Sequence, residues 1–270
     1  LAQPESPADL RDHLVDPRGD RRLGGGLEKL EHAVAQQPPG QGRDERARVY
    51  ADDPVEVLRQ LQDAGAERIH IVELDAAFGE PRQSALLARV VVAAKGEKLQ
   101  LGGGLRSGDL LRAALDSGFD RVVAGSMVVR DPAAFGRSAA EFPGRLIPAL
   151  EFAGGELRAA GWREGSALGL KEVLKQLLPF TGLFFEALVT DIARDGMLSG
   201  PNFDLAVTVG RALGVRAIVS GGVSGTGDVF AAAAHPEISG VIVGRAFYES
   251  KIDLSSAFEA LRAARAGVRA

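Results

Sequence analysis

The sequence predicts an α/β fold, a (β/α)8 TIM barrel built from two similar half-barrels, on three observations. Seven short apolar runs alternate with amphipathic stretches, the chain is 270 residues long, and its two halves repeat each other. From about residue 51 the apolar runs are 69–72, 99–101, 122–124, 146–150, 187–189, 217–219 and 241–243. Several are apolar throughout, which leaves no face for water and fits a parallel sheet covered by helices. The stretches between them, 54–64, 84–94, 108–117, 168–178, 204–213 and 226–234, carry helical patterning. Pro54 suits a first helical turn after Asp52 and Asp53. Strand–helix alternation at this length predicts one closed barrel over 1–270.

Residues 1–50 are the atypical part. Gly24-Gly25-Gly26 and the run from Gln36 through Pro38 and Pro39 to Gly42 favour loop over packed structure. The eighth strand must come from here. The first choice is 13–16 and a poorer second is 31–35.

The repeat has three anchors. Val72-Glu73-Leu74-Asp75 matches Val189-Thr190-Asp191-Ile192 at an offset of 117. Gly102-Gly103-Gly104-Leu105 matches Ser220-Gly221-Gly222-Val223 at 118, and Ala124-Gly125-Ser126 matches Val243-Gly244-Arg245 at 119.

Composition excludes several classes. Net charge is −4, so there is no basic field for nucleic acid or an anionic membrane, and a phosphate must be attracted locally. Absence of cysteine excludes disulfides, thiolate metal sites and a thiol nucleophile. His13, His32, His70 and His235 share no spacing, so no metal site is expected, and His70 reads simply as a strand residue. No apolar run approaches the roughly 18 residues of a membrane span, and no signal-peptide layout opens the sequence. A cytoplasmic monomer acting on a small molecule, without cofactor, is the expectation.

The chemistry is expected at glycines that follow strands. There, backbone N–H groups can approach an anion closely and a helix N-terminus adds its dipole. Two anion sites are predicted: Gly103 and Gly104 with Gly125 and Ser126, and Gly221 and Gly222 with Gly244 and Arg245. Arg106 and Arg245 stand beside them as phosphate contacts. Two cradles across one barrel mouth imply a long substrate with a phosphate at each end.

The most distinctive run is Thr190-Asp191-Ile192-Ala193-Arg194-Asp195-Gly196-Met197-Leu198-Ser199-Gly200-Pro201-Asn202, which leaves a strand at the catalytic face of such barrels. Asp195 reads as a loop-stabilising residue, and Asp191 as either that or a catalytic group. Together with Gly102 to Ser107, Gly161-Trp162, Ser220 to Ser224 and Val241 to Ala246, this run resembles the ProFAR isomerases of histidine biosynthesis over roughly residues 50–260. The resemblance implies an Amadori rearrangement of an aminoaldose carrying two phosphates, with one carboxylate ending the first strand and one ending the fifth. It also implies an assisting threonine, here Thr190, and a tryptophan beside the substrate, here Trp162.

The sequence departs from the family pattern at its carboxylates. Glu151 and Glu73 stand where the family has aspartate. A displacement of about 1 Å, such as an added methylene produces, can cost about a hundredfold in rate. For the first strand, Asp16 in Val15-Asp16-Pro17-Arg18-Gly19 is the nearest match and Asp9 the alternative. Besides the isomerase, two readings stay open: a dual-substrate isomerase that also acts on phosphoribosyl anthranilate, and a phosphate-binding barrel with impaired catalysis.

Overall fold

The computed structural model describes residues 32–36, 50, 51, 53–159 and 164–268. Its strands are β1 (His32–Gln36), β2 (Arg68–Val72), β3 (Lys98–Gly102), β4 (Arg121–Ala124), β5 (Leu146–Ala153), β6 (Glu156–Ala159), β7 (Glu164–Gly169), β8 (Glu186–Asp191), β9 (Arg216–Ser220) and β10 (Ile238–Val243). Eight of them run parallel in the order β4-β3-β2-β1-β10-β9-β8-β5, and pairing of β4 with β5 closes the ring. This is the (β/α)8 barrel the sequence predicts. The remaining two, β6 and β7, extend β5 as antiparallel strands.

All seven predicted apolar runs lie in barrel strands. The first strand does not follow the preferred reading: its place beside β2 and β10 is held by β1 at His32–Gln36, near the second choice. The segment 13–16, with Asp16 and the alternative Asp9, lies outside the described residues, as does Trp162.

Helix ends follow local chemistry. Asp53 accepts from the N–H of Val55 at 3.0 Å and Pro54 opens the helix Pro54–Asp63. Ser107 and Asn202 cap the helices Gly108–Asp116 and Phe203–Leu213 in the same way.

Strand alternation produces two cores. Outward residues such as Ile69, Leu101, Val122, Val189 and Val219 pack under the helices. Inward residues Val123, Ile147, Ala149, Leu188, Ile218 and Ile242 fill the barrel, with Ala149 beside Leu188 and Leu188 beside Ile218 in register. Below this layer the interior is charged. Arg121 pairs with Glu186, both buried, while Arg68 meets Asp120 at 2.7 Å. Arg145 donates to the carbonyls of Asp120 and Phe119 at 2.9 and 2.8 Å, knitting the N-terminal end shut. Above the apolar layer lie Glu151, Thr190 and Ser220.

The structure refines the repeat. Val72 is registered with Gly102 and Thr190 with Ser220, and each second partner is followed by a glycine pair. Glu73 is therefore equivalent to Asp191, at an offset of 118, one residue from the correspondence read in sequence.

Candidate active site

Two adjoining cavities open at the C-terminal ends of the barrel strands, one of about 450 Å3 and one of about 140 Å3. Both are walled by His70, Val72, Leu74, Glu151 and Leu188, so they form one cleft across the mouth. Gly103, Gly104, Arg106, Gly125 and Ser126 line the smaller end. Gly221, Gly222, Gly244 and Arg245 line the larger. Each predicted set of residues is thus brought together, one at either end of the cleft.

The glycines are required by backbone geometry. Gly103, Gly104, Gly221 and Gly222 have φ of +97°, +67°, +89° and +92°, where a side chain is disfavoured. A methyl on Gly103 would strike the carbonyl of Glu73, and one on Gly221 would lie 2.6 Å from that of Asp191. Neighbouring βα loops therefore pack directly on these residues. Among the described residues, no backbone carbonyl accepts from the N–H of Gly103, Gly104, Gly221 or Gly222. Those donors remain available at the cleft, as an anion site needs. Gly125 and Gly244 each precede a short helix, Ser126–Arg130 and Arg245–Tyr248.

Both predicted arginines are engaged with protein. Arg106 donates to the carbonyl of Ala77 at 2.7 Å. Arg245 binds Glu249 at 2.8 Å and the carbonyl of Gly196 at 2.5 Å, linking one cradle to the loop after β8. Tyr50 also lines the larger end, stacked on Tyr248 at 4.8 Å, with its hydroxyl donating to Glu249 at 3.1 Å.

The floor between the two glycine sets carries polar side chains. Glu151 is registered beside Thr190, and Thr190 beside Ser220, so three polar side chains from β5, β8 and β9 share one inward row. Asp191 goes elsewhere. Its carboxylate accepts from the N–H of Ala193 at 3.1 Å and from the amide of Asn202 at 2.8 Å, holding the loop after β8 in shape.

Two residues of the floor were missed or undervalued in the sequence reading. Asp195, read as loop-stabilising, lines the larger end, and burial raises its pKa. The same loop holds Leu198 at φ +52°, a strained conformation for a branched residue at the cleft wall. His70 lies under both ends, 3% exposed. Burial, aided by the charge of Arg121, pushes its pKa down to about 3, so the ring is neutral at working pH. Gln100 Nε2 lies 2.9 Å from His70 Nδ1. The sequence signal for His70 was a single polar residue at an inward strand position.

A two-fold repeated (β/α)8 barrel with a glycine pair at each end of a cleft over the C-terminal strand ends defines the class. Residues 38–253 match the family model described as histidine biosynthesis protein, and the chain belongs to that family. A protein of Thioalkalivibrio sulfidiphilus named 1-(5-phosphoribosyl)-5-((5-phosphoribosylamino)methylideneamino) imidazole-4-carboxamide isomerase is 39% identical over 221 residues, covering 80% of this chain and 90% of that one. Proteins of the same name from Campylobacter concisus and Sinorhizobium fredii are each 35% identical, covering 81% and 83% of this chain and 91% of their own lengths.

Proposed function

We propose that this protein is an aldose–ketose isomerase acting on the substrate for which its relatives are named, converting the aminoaldose to the aminoketose by an Amadori rearrangement. The observation that carries the reading is the placement of Glu151 and Thr190 side by side on the cleft floor, with a glycine cradle at each end. A substrate with a phosphate at each end would span the cradles and present its ribosyl carbon to that floor.

The reaction needs proton transfers at the ring oxygen and at C2, then a proton gained at C1 as the C2 hydroxyl loses its own, and no net oxidation. As the bond from C1 to the ring oxygen breaks, that oxygen takes a proton and C1 becomes an iminium carbon. C2 then loses its proton, and the enaminol so formed tautomerises to the ketone. Glu151 serves as the acid at the ring oxygen. Asp195, the other described carboxylate lining the cleft, takes the proton from C2; its raised pKa strengthens it as a base. The Thr190 hydroxyl orients the sugar beside Glu151. With this reading go the cytoplasmic location and monomeric state expected from sequence.

Turnover of the relatives' substrate tests the proposal. Glu151→Gln should lower kcat by about a hundredfold or more and change KM little. An unchanged kcat in that variant would show that the proton comes from another group. Binding without turnover by the wild type would leave the phosphate-binding barrel.

A further inference from the structure

We infer that Arg82 is a positioning residue for the Gly103–Gly104 cradle, acting through the carbonyl of Gly103 without touching the ligand; the inference rests on that cradle being an anion site. Glu73, which follows β2, is fully buried. Its N–H donates to the carbonyl of Gly102 at 2.9 Å. Its carboxylate accepts from the N–H of Gln83 at 2.6 Å and lies 2.7 Å from Arg82 Nη1. The other terminal nitrogen of Arg82 donates to the carbonyl of Gly103 at 3.1 Å. A guanidinium is a rigid planar fork, so an anchor on one prong fixes the aim of the other.

The consequence follows from peptide planarity. In a trans peptide the C=O and the following N–H point in opposite directions. With the carbonyls of Gly102 and Gly103 held by Glu73 and Arg82, the N–H groups of Gly103 and Gly104 are turned away from both. These are the donors of the cradle, and Gly103 and Gly104 line the cleft where Arg82 does not.

The other half carries a related chain of contacts that ends one residue later, on the carbonyl of Gly222, the equivalent of Gly104. Asp191, the structural equivalent of Glu73, lies 3.5 Å from Arg194 Nε. Arg194 donates to the carbonyl of Gly200 at 3.0 Å, and Gly200 donates to the carbonyl of Gly222 at 2.9 Å. Arg82 follows its carboxylate by nine residues and Arg194 by three, so the two arginines do not descend from one repeated position. Each glycine pair is thus tied to the carboxylate of the preceding loop through an arginine, directly at Gly103 and by way of Gly200 at Gly222.

The test is an amide NMR titration of the full chain with inorganic phosphate, reading the signals of Gly103 and Gly104 separately from those of Gly221 and Gly222. Arg82→Gln removes the brace, and the double variant Glu73→Gln/Arg82→Met removes it without leaving a buried carboxylate unpaired. Both should weaken phosphate at Gly103 and Gly104 by about fivefold or more, the equivalent of one hydrogen bond of about 1 kcal/mol. The Gly221–Gly222 cradle should keep its affinity, and Arg82→Lys should restore part of the loss. Unchanged affinity at Gly103 and Gly104 in either folded variant overturns the inference. So does equal weakening of both cradles, which is the mark of general loosening. No phosphate response at Gly103 and Gly104 in the wild type would instead remove the cradle reading, and the inference with it.

Discussion

Replacing His70 by asparagine should flatten the acid limb of the protein's stability curve. In the unfolded chain this imidazole titrates at about 6.5, whereas in the barrel burial and Arg121 hold it down at about 3. Between those values the unfolded chain binds a proton that the folded chain does not, so falling pH favours unfolding. The full stability is present above about pH 6.5 and declines by about 1.4 kcal/mol per pH unit below it. From pH 7 to pH 5 the His70 share of the loss is about 2 kcal/mol. Asparagine cannot titrate, and its own packing cost does not vary with pH. Urea unfolding of both proteins at pH 7, 6 and 5 isolates the effect, since titrations common to the two cancel in the difference. The variant should gain on the wild type by about 2 kcal/mol over that range. A difference independent of pH would refute the assignment of a buried neutral imidazole under the cleft.

Two further outcomes are expected. Thr190→Val should lower kcat by about tenfold or more with little change in KM, because Thr190 is registered beside Glu151 on the floor. Unchanged kcat in steady-state assays would remove the role. Gly221→Ala forces a side chain into φ +89° within 2.6 Å of the Asp191 carbonyl, which should cost upwards of about 1–2 kcal/mol in thermal or urea unfolding and raise KM. An alanine variant of wild-type stability would mean that the loop after β8 yields more easily than its packing suggests.

Much of this was legible because barrel strands are bounded by physical necessity on both faces. Runs such as 122–124 and 217–219 must be apolar outward to meet helices and inward to fill the barrel, so composition alone marks them. β1 offered no such mark: His-Ala-Val-Ala-Gln is weakly apolar and sits in Gln- and Pro-rich surroundings. The β5–β6 turn was missed although it had a signal, since Gly154-Gly155 at φ +61° and +85° forms a two-residue hairpin loop. The cradle glycines were picked out in sequence by their position after strands. An anion's approach was the expected cause, whereas the structure shows close packing of the preceding loop on Gly103, Gly104, Gly221 and Gly222. Which aspartate of the loop after β8 faces the cleft was not legible. Asp191 and Asp195 have the same chemistry, and only the loop's path turns one inward and ties the other to Asn202.

The charged layer of Arg121 and Glu186 beneath the apolar interior has a consequence for traffic. A barrel sealed at its base is a cup, and whatever enters at the rim must leave by the rim. For the reaction proposed, substrate and product carry the same two phosphates and would occupy the same two cradles. Departing product would then compete with arriving substrate for one doorway, and the grip of the cradles would set how fast the cup empties.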